Sequence, residues 1–133
     1  AAATAAALPS ATASAAPAAH VAAAGQVFRW LTGDAEQLAA HIGRRFRFRD
    51  TEGKGAVLRL VEVEAVPSGP ARPQNLPRRE GVIAAFDGPD KAPLVAAGPR
   101  LYRVFAPALG EALVMACPVR RRDGTQILEI ALN

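Results

Sequence analysis

In Arg45-Phe46-Arg47-Phe48-Arg49 the residue type switches at every step. A backbone of period two sends both aromatics to one side and all the guanidinium groups to the other, which is the pattern of a half-buried strand. A helix would set Phe46 and Phe48 about 200° apart and could not bury them together. The chain after Gly43 continues in this style. Short apolar or alternating runs at 57–66, 81–86, 101–105, 111–117 and 125–132 are separated by Thr51 to Gly55, Gly88-Pro89-Asp90, Pro107 to Gly110 and Asp123-Gly124. Such spacing reads as strands joined by tight turns, in antiparallel meander order rather than through βαβ crossovers. In 57–66, Leu58 and Leu60 share one parity while Val61, Val63 and Ala65 share the other. A bulge near Leu60-Val61 would keep both sets inward. The expected fold is mainly β, a small antiparallel barrel or curled sheet of about six strands.

One short helix precedes the strands. Asp34 and Gln37 have the spacing of a capping box, Ala35, Leu38 and Ile42 fall on one helical face, and Gly43 stands where a left-handed C-terminal cap would end it. Between 66 and 80, Pro67, Pro70, Pro73 and Pro77 mark a long, partly extended loop.

The chain divides into an N-terminal arm, residues 1–26, and a small β domain, residues 27–133. Of the first 26 residues 15 are Ala, and the first Lys, Arg, Asp or Glu is Arg29. Such small side chains offer little area to bury, so the segment reads as a leader or an assembly arm. It lacks the ~20 strongly apolar residues of a membrane span. Ala13-Ser14-Ala15 resembles a secretory cleavage site, with residues 1–8 as the end of an apolar h-region, so export to the cell surface, extracellular space or periplasm is expected.

Catalytic, cofactor and metal sites are not expected. Cys117 is the only thiol and lies in an apolar run, where Cys behaves as a small hydrophobe, and no nearby residue marks His41 as its base. The two histidines are far apart, and Gly53-Lys54-Gly55 lacks the pattern of a phosphate loop. Sixteen Lys and Arg against twelve Asp and Glu leave +4. Arg44, Arg45, Arg47, Arg49, Arg78, Arg79 and Arg120 to Arg122 are candidates for contacting phosphates. Single-strand binders show aromatics beside their cations, however, whereas Phe46 and Phe48 point away from the arginines, so nucleic acid is not the expected partner.

These residues and their order resemble a family of small bacterial β domains of unknown function. The resemblance rests on Gly43, Phe46, Phe48, Leu60 to Val63, Phe86-Asp87-Gly88-Pro89, Tyr102, Pro107-Ala108-Leu109-Gly110, Pro118-Val119, Gly124 and Asn133, and it spans nearly all of 30–133. Arg100-Leu101 and Ala106 depart from it, standing where the family has Gln-Gly and His. Members are often encoded beside surface proteins like phage tail collars, which implies an assembly context and no known chemistry.

The sequence itself supports assembly. Segments 82–86 and 112–117 are apolar on both parities, although one face of an antiparallel strand normally meets water. An uncovered strand face of ~300 Å² would be worth about 7 kcal/mol on burial. The expectation is a non-catalytic subunit of a filament or tail-like assembly. It would be held to other copies, or to a neighbouring surface protein, through Val82, Ala84, Phe86, Ala112, Val114 and Ala116, with Leu8 and Val21 from the arm. The alternative is a barrel that binds a small ligand in a pocket lined by Phe46, Phe48 and Tyr102, or an acidic polymer through its arginines.

Overall fold

Alternation becomes a closed ring. The computed structural model describes residues 28–133 apart from Ser68 and Gln74. In chain order they form α1 (Ala35–Ala39), β1 (Arg45–Arg49), β2 (Gly55–Val66), β3 (Gly81–Asp87), α2 (Ala92–Ala97), β4 (Arg100–Ala106), β5 (Gly110–Arg120) and β6 (Gln126–Leu132). The strands close into a barrel in the order β1-β2-β3-β6-β5-β4, every pair antiparallel.

The topology differs from a simple meander. Two three-stranded meanders, β1-β2-β3 and β4-β5-β6, are joined by a crossover through α2, which sets β3 against β6 and β1 against β4. The second helix is the reason. The run Lys91 to Gly98 carries Pro93 in the first helical turn and ends on Gly98, a start-and-stop signature that the Gly88-Pro89-Asp90 turn overshadows. Leu94 from α2 and Leu38 from α1 are 3% and 0% exposed and join the barrel core.

Inside, one parity of each strand builds the core. Phe86 stands edge-on to Phe46 and Phe48, with centroids 5.1 and 5.0 Å away, and Phe48 meets Tyr102 at 5.8 Å. Each such pair adds about 1 kcal/mol beyond simple burial. The register of β2 on β3 shifts between Leu60 and Glu62, the bulge its pattern demanded. Leu58 and Leu60 are buried before it and Val63 packs on the core after it, but Val61 at the bulge is 42% exposed and Ala65 near the strand end is exposed too, so the bulge does not turn the whole second set inward.

The α1 capping box forms as the sequence predicts: the Asp34 carboxylate accepts from Gln37 N–H at 2.8 Å, and Gln37 Oε1 accepts from Asp34 N–H. The helix nevertheless ends at Ala39 with Ala40 as its cap, and Gly43 takes its positive φ in the turn beyond. Ile42 therefore leaves the helical face and is 48% exposed.

Arg78, expected on the surface, is 5% exposed and serves as a clamp. It donates to the carbonyls of Gly33, Trp30 and Asn133, tying segment 28–33 and the last residue to the loop before β3. A side chain on Gly33 would strike the Phe28 ring, which is why glycine stands there. Burial, then the nearby Arg72 charge, pushes the Arg78 guanidinium pKa down. The guanidinium stays charged, as arginine does in proteins, and its separate N–H groups donate to the three carbonyls.

Candidate interaction surface

With one parity committed to the interior, the other parity of each strand decides what the protein presents. On that parity strands β1 and β4 contribute Arg45, Arg47, Arg49 and Arg103 and no carboxylate. Across the outer wall, the register sets Val57, Arg47, Phe105 and Glu111 in one row and Gly55, Arg49, Arg103 and Leu113 in the next. Leu101 faces Met115 beyond them. Leu101, Leu113 and Met115 are 43%, 58% and 48% exposed, so this wall is apolar along its β4–β5 side and cationic along β1. The Arg47 guanidinium sits over the Phe105 ring at 5.1 Å. Among the described residues Arg45, Arg47 and Arg49 form no ion pair, and Arg103 approaches Glu111 only at 3.8 Å.

Arg100 is engaged elsewhere. It reaches the Asp50 carboxylate at 2.9 Å, and that carboxylate also accepts from the Glu52 and Lys54 amides in the β1–β2 turn. Burial alone would raise the Asp50 pKa; the two amides and Arg100 outweigh it and hold the carboxyl below its ordinary value.

The opposite wall has the opposite sign. Strands β3 and β6 carry Asp87 and Glu129 and neither Lys nor Arg, and the end of β2 adds Glu62 and Glu64. Glu62, Ala85, Glu129 and Cys117 form one lateral row; Glu64, Ile83 and Ala131 form the next. The β5–β6 hairpin overhangs them, making a groove of about 570 Å³ whose lining mixes apolar Ile83, Ala85 and Val119 with the carboxylates Glu62, Glu64, Asp123 and Glu129 and the cations Arg120, Arg121 and Arg122. Arg121 of that hairpin pairs with Glu62 at 2.5 Å, and this contact holds its proton more tightly than usual. At the wall's end Asp87 pairs with Lys91 at 2.8 Å.

The interface expected from the sequence has the wrong parity. Val82, Ala84, Phe86, Val114 and Ala116 are 1%, 1%, 0%, 9% and 0% exposed, and Ala112 packs on the same core. These residues are the barrel interior and cannot meet a partner. Runs apolar on both parities arise because the outer positions Ile83 and Ala85 line the groove, whereas Leu113 and Met115 stay in contact with water. Leu8 and Val21, like the rest of the arm, lie outside the described residues. A ligand pocket between Phe46, Phe48 and Tyr102 is also excluded: a pocket open to solvent would expose these rings, which are 0%, 1% and 2% exposed.

Cys117 is half-buried opposite Glu129, and His41 lies in the turn after α1, its pKa lowered by burial and then by the Arg44 charge. No group of three His, Cys, Asp or Glu able to hold a metal occurs among the described residues. No helix among them is long and apolar enough to cross a membrane.

The sequence profile of the domain of unknown function DUF6916 matches residues 34–131, a span running from the α1 cap to the end of β6. The chain belongs to the DUF6916 family. Comparison with the curated proteins and with the solved structures gives no match. For this DUF6916 domain, the reading of function therefore rests on its own outer walls.

Proposed function

We propose that this DUF6916 domain is a non-catalytic assembly module, exported in a bacterium and built into a filament or tail-like surface structure with other copies or a neighbouring protein. The observation that carries the reading is the β4–β5 wall, where Leu101, Leu113 and Met115 stand about half exposed on a barrel whose interior is already filled. Each retains about 1 kcal/mol of burial that folding leaves unused. Their contiguity favours a partner surface over scattered exposure, because Leu101 and Met115 are direct cross-strand neighbours. Export rests on the Ala13-Ser14-Ala15 pattern.

A second reading draws on the row of Arg45, Arg47 and Arg49: an acidic polymer lying along β1 would meet three unpaired cations. The two separate in one experiment. Sedimentation of the full chain and of a Leu101→Ser/Leu113→Ser/Met115→Ser variant should show an assembled species that reverts to the protomer in the variant, with little change in melting temperature. An unaltered mass, with retention on heparin that falls steeply with salt, favours the polymer.

A further inference from the structure

We infer that Met115 is an oxidation site that governs the association: a peroxide converts its thioether to the sulfoxide, and the β4–β5 wall then releases its partner. This rests on the assembly reading above and adds its regulation. The first support is where the sulfur stands. Met115 is the single methionine of the chain and Cys117 the single cysteine. Between the buried Val114 and Ala116, Met115 turns outward and is 48% exposed. The core cluster is built from aromatic and aliphatic side chains and contains neither sulfur residue. A mild oxidant therefore reaches the wall without touching what holds the fold together.

The second support is what surrounds it. Met115 faces Leu101 across the β4–β5 ladder, and Leu113 precedes it on the same parity of β5. These three side chains supply the apolar area on which association depends. A thioether adds to that area; a sulfoxide is polar and carries an oxygen that must accept a hydrogen bond when water leaves. Leu101 and Leu113 offer no side-chain donor, and Arg103, on the diagonal, is turned toward Glu111. Burying the oxidised side chain against a partner leaves its oxygen unsatisfied.

The third support is mutual exclusion. In the protomer the sulfur is open to water, and a partner covering Leu101 and Leu113 would cover it as well. Oxidation then draws on protomers and removes them from the equilibrium by mass action. The step balances. With hydrogen peroxide, the sulfur lone pair attacks one oxygen, the S–O bond forms as the O–O bond breaks, and sulfur gives up two electrons. The second oxygen leaves as water with both peroxide protons. A dithiol returns the two electrons: it becomes a disulfide, and the sulfoxide oxygen leaves as water.

The test uses the full chain, with peptide mass to locate the added oxygen and sedimentation velocity to read association. After dilute hydrogen peroxide, Met115 should carry one oxygen and association should weaken at least about tenfold. Melting should move by no more than a few degrees, because the residue is on an outward position. Methionine sulfoxide reductases acting on both epimers, with a dithiol, should restore the original association. Oxidation should also run more slowly at concentrations where the chain is assembled. Met115→Leu keeps the volume and lacks the sulfur, so peroxide should leave that variant's own association, whatever its strength, where it was. Cys117→Ser should respond to peroxide as the unaltered chain does. The inference is overturned if Met115 is fully oxidised and association does not change, or if Met115 resists peroxide that oxidises free methionine. A loss of association that persists in Met115→Leu and vanishes in Cys117→Ser assigns the effect to the thiol and overturns it too. An unaltered chain that stays a protomer overturns the assembly reading itself, a different outcome from these.

Discussion

The β1–β4 wall and the β3–β6 wall stand on one interior and present opposite chemistry to water. Inward, both are built from the same kinds of residue: Phe46, Phe48, Tyr102 and Val104 on one side, Val82, Phe86, Leu128 and Ile130 on the other, all at most 2% exposed. Outward, one carries arginines beside Leu101 and Phe105, and the strands of the other carry Glu62, Glu64, Asp87 and Glu129 beside a groove that Arg120, Arg121 and Arg122 also line. The difference teaches that closure of the barrel constrains only one parity. Outward positions are free to take either sign, so the charges there are not dictated by the fold.

That comparison breaks if the interior is not truly shared. Phe86→Ala removes the ring that bridges Phe46 and Phe48, so it should cost about 3–5 kcal/mol by denaturant unfolding. Both walls should loosen together in amide hydrogen exchange. Exchange confined to the β3–β6 wall would mean that the two walls have separate cores.

The next effect lies at the barrel end that Arg78 ties together. Arg78→Met leaves the Trp30 and Gly33 carbonyls without their donor and should cost about 2–3 kcal/mol. Protection should fall first in segment 28–33 and around Asn133, while both walls keep theirs. A uniform loss would make Arg78 part of the common core rather than a clamp.

A smaller effect sharpens the contrast at the foot of the cationic wall. The folded pKa of Asp50 is lower than its unfolded value, so its contribution is fully present above about pH 4 and is lost as pH falls through the folded value. Asp50→Asn should therefore lower the melting temperature at neutral pH and flatten its fall in acid. An unchanged acid limb would show that the Lys54 and Glu52 amides and Arg100 together do not stabilise the Asp50 carboxylate in solution. The smallest effect on stability is expected at Leu101, Leu113 and Met115, whose replacement by Ser should shift unfolding by less than about 0.5 kcal/mol per site while association disappears.

How much of this could be read from the sequence follows from distance along the chain. The six strands, the bulge after Leu60 and the Asp34–Gln37 box are local features, set by alternation and by spacings of a few residues. Closure of β1 on β4 and the pairing of β3 with β6 join residues about fifty positions apart, for which the pattern carries no register. The α2 helix has its Pro and Gly signals, but its six residues are too short for a periodicity to emerge. Arg78 looks like any loop arginine until the carbonyls of Trp30, Gly33 and Asn133 converge on it. The interface residues failed for a subtler reason. In 82–86 and 112–117 both parities are apolar, so composition says that surplus exists without saying which parity turns outward. The neighbouring strands decide that, through Val82 facing Leu132 and Tyr102 facing Val114.

The claim beneath all of this is that the filled barrel still holds an outer wall meant for another molecule of its kind. Light-scattering mass of the full chain, followed across a concentration series in dilute salt, tests it most directly. The account predicts a mass that climbs with concentration through multiples of 13.8 kDa without settling at two. A mass fixed at 13.8 kDa over the whole series would contradict it.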